Sequence, residues 1–207
     1  LYRLPQGDRL LLAAHHLVVD GVSWRFLLED LRSAYQQAWT NGTIRLPLKT
    51  DSFQTWARYI HSYAQHEVLG EAPYWQHLTT MDWSRLPCDH RGEPSCYGNR
   101  PQQNFQLAEE ETSELLGGAN RTYQTEPNDL LLTALAHALA RWHGHQTSVV
   151  LLEGHGREAL FDEVDISRTV GWFTSYYPVV LPFSCEEGLG KQIKLIKETL
   201  RAIPSKG

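Results

Sequence analysis

No stretch of the 207 residues reaches the roughly 18 uninterrupted apolar positions that a membrane helix needs, so the chain carries no candidate span and no membrane partner is expected. Basic residues are not clustered either. The 19 Lys and Arg are scattered among 24 acids for a net charge of -5, and without a basic stripe nucleic acid is excluded as a partner. Cysteine is scarce: Cys88, Cys96 and Cys185 stand at spacings that fit neither a zinc nor a thioredoxin motif, and they read as reduced thiols of a cytoplasmic protein. Internal repeats and low-complexity segments are missing, and so is an initiating Met. The chain opens on Leu1-Tyr2-Arg3-Leu4 and closes on Ile203-Pro204-Ser205-Lys206-Gly207, which predicts a piece cut from a longer polypeptide. What is present, 42% hydrophobic and 21% charged residues, suffices for one large or two small domains with a real core.

Hydrophobic periodicity lays out the elements. Residues 9 to 15 read as a buried strand, and 24 to 40 as an amphipathic helix with Trp24, Leu27, Leu28, Leu31 and Tyr35 on one face, stopped by Asn41-Gly42. A second helix spans 52 to 65, with Phe53, Trp56, Ala57, Ile60 and Ala64 facing a core; a shorter one covers 71 to 78, with Pro73 in its first turn. The Pro- and Gly-punctuated segment 87 to 101 is the candidate linker. Beyond it come a short strand at 104 to 107 and a helix opened by Glu109-Glu110-Glu111. The most apolar helix, 128 to 142, follows; its His137 reads as a packed side chain. Strands at 147 to 152 and before 181, and an amphipathic helix at 186 to 202, complete the pattern.

Chemistry-bearing side chains gather at two turns. The first is His15-His16-Leu17-Val18-Val19-Asp20-Gly21-Val22-Ser23-Trp24, placed between a strand and a helix. Neighbouring strand residues point to opposite faces, so His15 and His16 cannot share one substrate or one metal. One of them is structural and the other is a candidate general base. Asp20 with Gly21 suits the turn, and Ser23 suits a helix N-cap. The second turn, Glu153-Gly154-His155-Gly156-Arg157-Glu158, sits at the end of a β-branched strand. From the residues alone Glu153 reads as a solvated strand-end carboxylate, and the glycines beside His155 mark a backbone requirement. No His, Cys and carboxylate spacing suits a metal site.

The two turns are spelled as in a known family. HHLVVDGVSW resembles the HHxxxDG signature of the condensation-domain superfamily of nonribosomal peptide synthetases, relatives of chloramphenicol acetyltransferase; its Val-Ser-Trp-Arg continuation is similar to the epimerization subfamily. EGHGRE at 153 to 158 and Arg168-Thr-Val-Gly-Trp-Phe-Thr-Ser-Tyr-Tyr-Pro178 match motifs of epimerization domains, and Asn128-Asp-Leu-Leu-Leu-Thr-Ala134 resembles the segment between. The resemblance implies an α/β fold of chloramphenicol acetyltransferase-like lobes, an α+β two-layer sandwich with a mixed sheet packed by helices. Residues 1–100 would be the C-terminal part of the first lobe, and 101–207 the start of the second. It implies further sequence on both sides, with a glycine-rich segment and a closing motif containing Asn and Tyr after the last helix.

The activity implied is that of an isomerase in antibiotic-type secondary metabolism. It would invert, L to D, the α-carbon of an aminoacyl or peptidyl thioester carried on the phosphopantetheine arm of a peptidyl carrier protein domain, beside other synthetase domains. No cofactor is bound by the domain itself. His16 and Glu153 are carried over as the acid and base. His15, Asp20, Asp30 and Arg157 are carried over as supporting residues, with Asp20 and Arg157 expected to brace the site through charge-assisted hydrogen bonds. Trp172, Tyr176 and Tyr177 read as lobe-interface packing or tunnel lining. Rival readings are a condensation domain, which shares HHxxxDG but lacks EGHGRE, a free-standing acyltransferase of the same fold, and an inactive fragment that only binds carrier protein.

Overall fold

The computed structural model describes residues 1–40, 42–81, 86–88, 102–184 and 186–207. Asn41 of the expected helix stop, Cys96, Cys185 and most of the expected linker lie outside the described residues. The elements are α1 (Gly21–Thr40), α2 (Phe53–Gln65), a 3₁₀ turn (Glu67–Glu71), α3 (Ala72–Thr80), α4 (Glu109–Leu116), α5 (Gly118–Tyr123), α6 (Pro127–His143), β1 (Thr147–Gly154), β2 (Ser175–Pro182), α7 (Leu189–Arg201) and a closing 3₁₀ turn (Pro204–Lys206). Helices packed with a small sheet make this an α/β fold. Its contacts group into two units: residues 1–72 with 153–176, and 73–152 with 177–207. The chain after β1 returns to the company of α1 and α2.

In the first unit, α2 starts where the Ser52 hydroxyl accepts the Thr55 N–H at 3.0 Å, filling one of the helix's orphan donors. Its inner face presents Trp56, 8% exposed, to Ile166 and Phe173, with Ile60, Leu160, Phe161 and Val164 around them. The rings meet edge to face, Phe53 on Phe173 at 5.1 Å and Trp56 on Phe161 at 5.4 Å, the arrangement that ring quadrupoles favour. The segment between β1 and β2 has no regular structure and is fastened by hydrogen bonds instead. The N–H groups of Asp51 and Asp165 reach the Asp165 carbonyl and the Asp51 carboxylate, each at 2.9 Å, and the Thr169 hydroxyl donates to the Asp51 carbonyl at 2.6 Å.

In the second unit α6 lies against the sheet, as its composition predicts. Leu132 and Ala136 join Val179 and Leu181 of β2, Ile196 of α7 and Ile203 in one core; Val179, Leu181 and Ile196 are fully buried, each worth roughly 1.5–3 kcal/mol. Proline at the first position of α6 and Gly144 past its end, at φ 76°, set its limits. β1 and β2 pair antiparallel: Phe183 donates to Gln146 just beyond one end of the ladder, and Gly156 abuts Phe173 just beyond the other. The Gln192 amide closes the outgoing end of β2 by donating to the Pro182 carbonyl at 2.6 Å and accepting the Ser184 N–H.

Two expected strands do not form. Residues 10 to 14 are irregular, with Leu10, Leu11 and Leu12 exposed, and the pairing nearby is an isolated bridge between Tyr2 and Arg9. Residues 104 to 107 are irregular too, and Phe105 is exposed. An apolar run becomes a strand only where a second strand takes its backbone groups, and among the described residues neither segment has one.

Candidate active site

α1 opens earlier than periodicity alone suggests, at Gly21 and not Trp24, because Asp20 caps it. Asp20 Oδ1 accepts the Ser23 N–H at 2.6 Å, so the cap is Asp20, and Ser23, read from sequence as the cap, is the third helical residue. Ser23 is fully buried and uses its hydroxyl elsewhere. It donates to the Gly171 carbonyl at 3.0 Å and accepts from the Gly171 N–H and from Arg157.

Asp20 is also the anchor of a knot. Its Oδ2 accepts the Phe173 N–H at 3.1 Å, and Arg157 Nη2 lies 3.2 Å from both of its oxygens. Arg157 in turn donates through Nη1 to the Ile166 and Thr169 carbonyls at 3.1 and 2.9 Å, and its guanidinium carbon stands 3.9 Å from the Phe173 ring centre. The two side chains are 3% and 8% exposed. A buried ion pair of this kind is tolerable because nearly every polar atom has a partner; Arg157 Nε alone lacks one among the described residues. Burial pushes the Asp20 carboxyl up, but the hydrogen bonds from Ser23, the Phe173 N–H and the charge of Arg157 outweigh it and hold the group below the usual carboxylate range.

Glycine makes this knot's geometry accessible. Gly156 sits at φ 63°, where a Cβ would fall on the Phe173 carbonyl oxygen. Within the same turn the Arg157 N–H donates to His155 Nδ1 at 2.9 Å, so His155 shapes the backbone that aims Arg157.

The catalytic candidates stand beside the knot. Glu153, exposed at the end of β1, lines a cavity of about 470 Å³ together with Gly154, His155, Thr174, Asp20, Gly21, Val22 and Arg25. His16 is not among those lining residues. It turns its Nδ1 to the Val19 carbonyl at 3.0 Å and its ring toward Trp172, 6.2 Å away. A carbonyl can only accept, so Nδ1 is the donor of this bond and Nε2 is the ring nitrogen left to face a ligand. His15 faces elsewhere, accepting the Leu17 N–H at 3.1 Å.

Asp30 does not reach the Glu153 cavity. It pairs with Arg168 at 2.6 Å, beside Glu29, and lines a separate recess with Lys49, Thr50 and Asp51. Tyr176 is half exposed, whereas Tyr177 packs against the core of the second unit. Sequence reasoning quoted Arg25 and Arg168 within motifs and gave neither a role. Arg25, four residues beyond Gly21, falls on the same helical face, a spacing that could have singled it out.

The condensation-domain family profile matches residues 1–207. The chain is 48% identical to gramicidin S synthase 1 of Brevibacillus brevis and 46% identical to tyrocidine synthase 1 of Brevibacillus parabrevis, in both cases over its whole length, which is 19% of each of those proteins. Its structure superposes on that of the epimerization domain from the third module of tyrocidine synthetase B with a TM-score of 0.86 and 48% identity, covering 93% of this chain and 43% of that one. The chain therefore belongs to the condensation-domain family.

Proposed function

We propose that this chain carries the catalytic turns of an epimerization domain, which inverts the α-carbon of an aminoacyl or peptidyl thioester held on the phosphopantetheine arm of a peptidyl carrier domain. The observation that carries the reading is Glu153. It is a strand-end carboxylate with no cation within ion-pair distance among the described residues, and it lines a cavity at the capped start of α1. The likeness to a solved epimerization domain supports it. In this reading His16 Nε2 and Glu153 act on opposite faces of the substrate. One takes the α-proton, the C–H electron pair moves into the thioester as an enolate, and the other returns a proton from the far side. The Asp20–Arg157 pair holds the two turns and moves no proton. Residues 1–100 and 101–207 belong, in the same proposal, to the first and second lobes of a longer domain.

The test uses the complete module with its carrier domain, loaded with an L-aminoacyl group in deuterated water. The parent should place solvent deuterium in the inverted product and return little to unreacted substrate in a single turnover. Glu153→Gln should abolish net inversion. Full inversion by that variant would overturn the proposal and put the condensation reading first.

A further inference from the structure

The Glu153 cavity holds a second uncommitted charge. Arg25 lines it from α1, one turn along from Gly21, and among the described residues no carboxylate lies within ion-pair distance of it. The other charged or basic groups of the lining are spoken for: Asp20 by Arg157, Ser23 and Phe173, and His155 by the Arg157 N–H and Glu158. Glu153 and Arg25 thus face one space of about 470 Å³ without closing on each other. Both side chains are exposed and hydrated, and the space they border suits a small ligand group. In the epimerase reading the ligand group is a carbon acid, with the carboxylate toward the C–H bond and the guanidinium toward the oxygen that receives its electrons.

We infer that Arg25 is the oxyanion-stabilising residue of the reaction, donating guanidinium N–H groups to the thioester oxygen as it becomes an enolate. The inference rests on the epimerase reading. When the base removes the α-proton, the C–H pair forms the Cα=C bond and the carbonyl π pair moves onto oxygen; the charge that appears there is the charge Arg25 meets. Reprotonation at Cα reverses both movements, so no other reactant is needed. A donor aimed at developing charge accelerates the step without tightening ground-state binding.

The test is solvent-deuterium exchange at Cα in the carrier-loaded module, with Arg25→Ala, Arg25→Lys and Glu153→Gln alongside the parent. Arg25→Ala should slow exchange on the order of a hundredfold, the lower end for loss of one oxyanion donor, with the apparent KM for a loaded carrier domain supplied in trans unchanged. Arg25→Lys should recover part of the loss, and millimolar guanidinium ion should restore exchange to Arg25→Ala, which a merely structural role would not allow. Unchanged exchange in Arg25→Ala, a loss confined to KM, or a loss that guanidinium leaves unmoved overturns the inference. If Glu153→Gln also exchanges and inverts like the parent, the epimerase reading falls with it; if Glu153→Gln is inert while Arg25→Ala is not, only the role of Arg25 falls.

Discussion

Replacing Asp20 by Asn removes one negative charge from a place where the opposing Arg157 stays buried, and the cost can be worked from the contacts. Arg157 loses its carboxylate at 3.2 Å while remaining 8% exposed, and breaking a buried pair from one side costs about 3–5 kcal/mol. Asn keeps one acceptor oxygen, so either the Ser23 N–H or the Phe173 N–H faces an amide donor in its place. The helix cap is thus retained or lost by rotation of the amide, about 1 kcal/mol either way. Arg157→Met removes the cation and strips the Ile166 and Thr169 carbonyls of their donor, about 1 kcal/mol each. The double variant leaves no buried charge, so its loss should fall short of the summed single losses by at least about 2 kcal/mol. Urea unfolding of the complete domain, followed by fluorescence, measures all three.

The same cycle has a pH signature. The folded Asp20 carboxyl lies below its ordinary value of 3.8. Its contribution to stability is therefore present above that value and disappears as pH falls through it toward the lower folded value. The Asn variant should lack this acid-side loss. A single Asp20→Asn variant as stable as the parent, or a strictly additive double variant, would refute the reasoning.

Two further outcomes follow from the geometry. His16→Ala should leave the unfolding midpoint within about 0.5 kcal/mol of the parent, since among the described residues the exposed imidazole hydrogen-bonds only to the Val19 carbonyl, while single-turnover inversion is lost; a variant that inverts at the parent rate would remove His16 from the reaction. Gly156→Ala must either push the Phe173 carbonyl aside or abandon φ 63°, so the domain should unfold at clearly lower urea, by about 3 kcal/mol or more; an unchanged midpoint would show that this turn relaxes freely.

Much of the secondary structure was legible because it is local. Trp56 and Ile60 mark the inner face of α2 at helical spacing, and the Pro127 and Gly144 limits of α6 stand in the sequence as punctuation. The runs at 10 to 14 and 104 to 107 misled because an apolar pattern states a wish for burial and is silent on whether a partner strand exists. The motifs drew attention to Asp20 and Arg157, yet nothing local says that a carboxylate and a guanidinium 137 residues apart share one buried bond. Ser23 was misread for a related reason. A serine near a helix start resembles a cap whichever way its hydroxyl points, and only the return of Gly171 to its side reveals that it staples two segments.

That separation also sets an order of events during synthesis. At about 5–20 residues per second, Asp20 leaves the ribosome on the order of ten seconds before Arg157, and the Gly171 and Phe173 groups arrive later still. For that interval the carboxylate can cap α1 through Ser23 but has neither its cation nor its second amide. The knot thus closes only after the segment carrying Gly171 and Phe173 has been made. The residues of the second unit that lie between the two turns are already made when it closes, and a pause in translation just before Arg157 would lengthen the life of the half-formed site without touching a single mature contact.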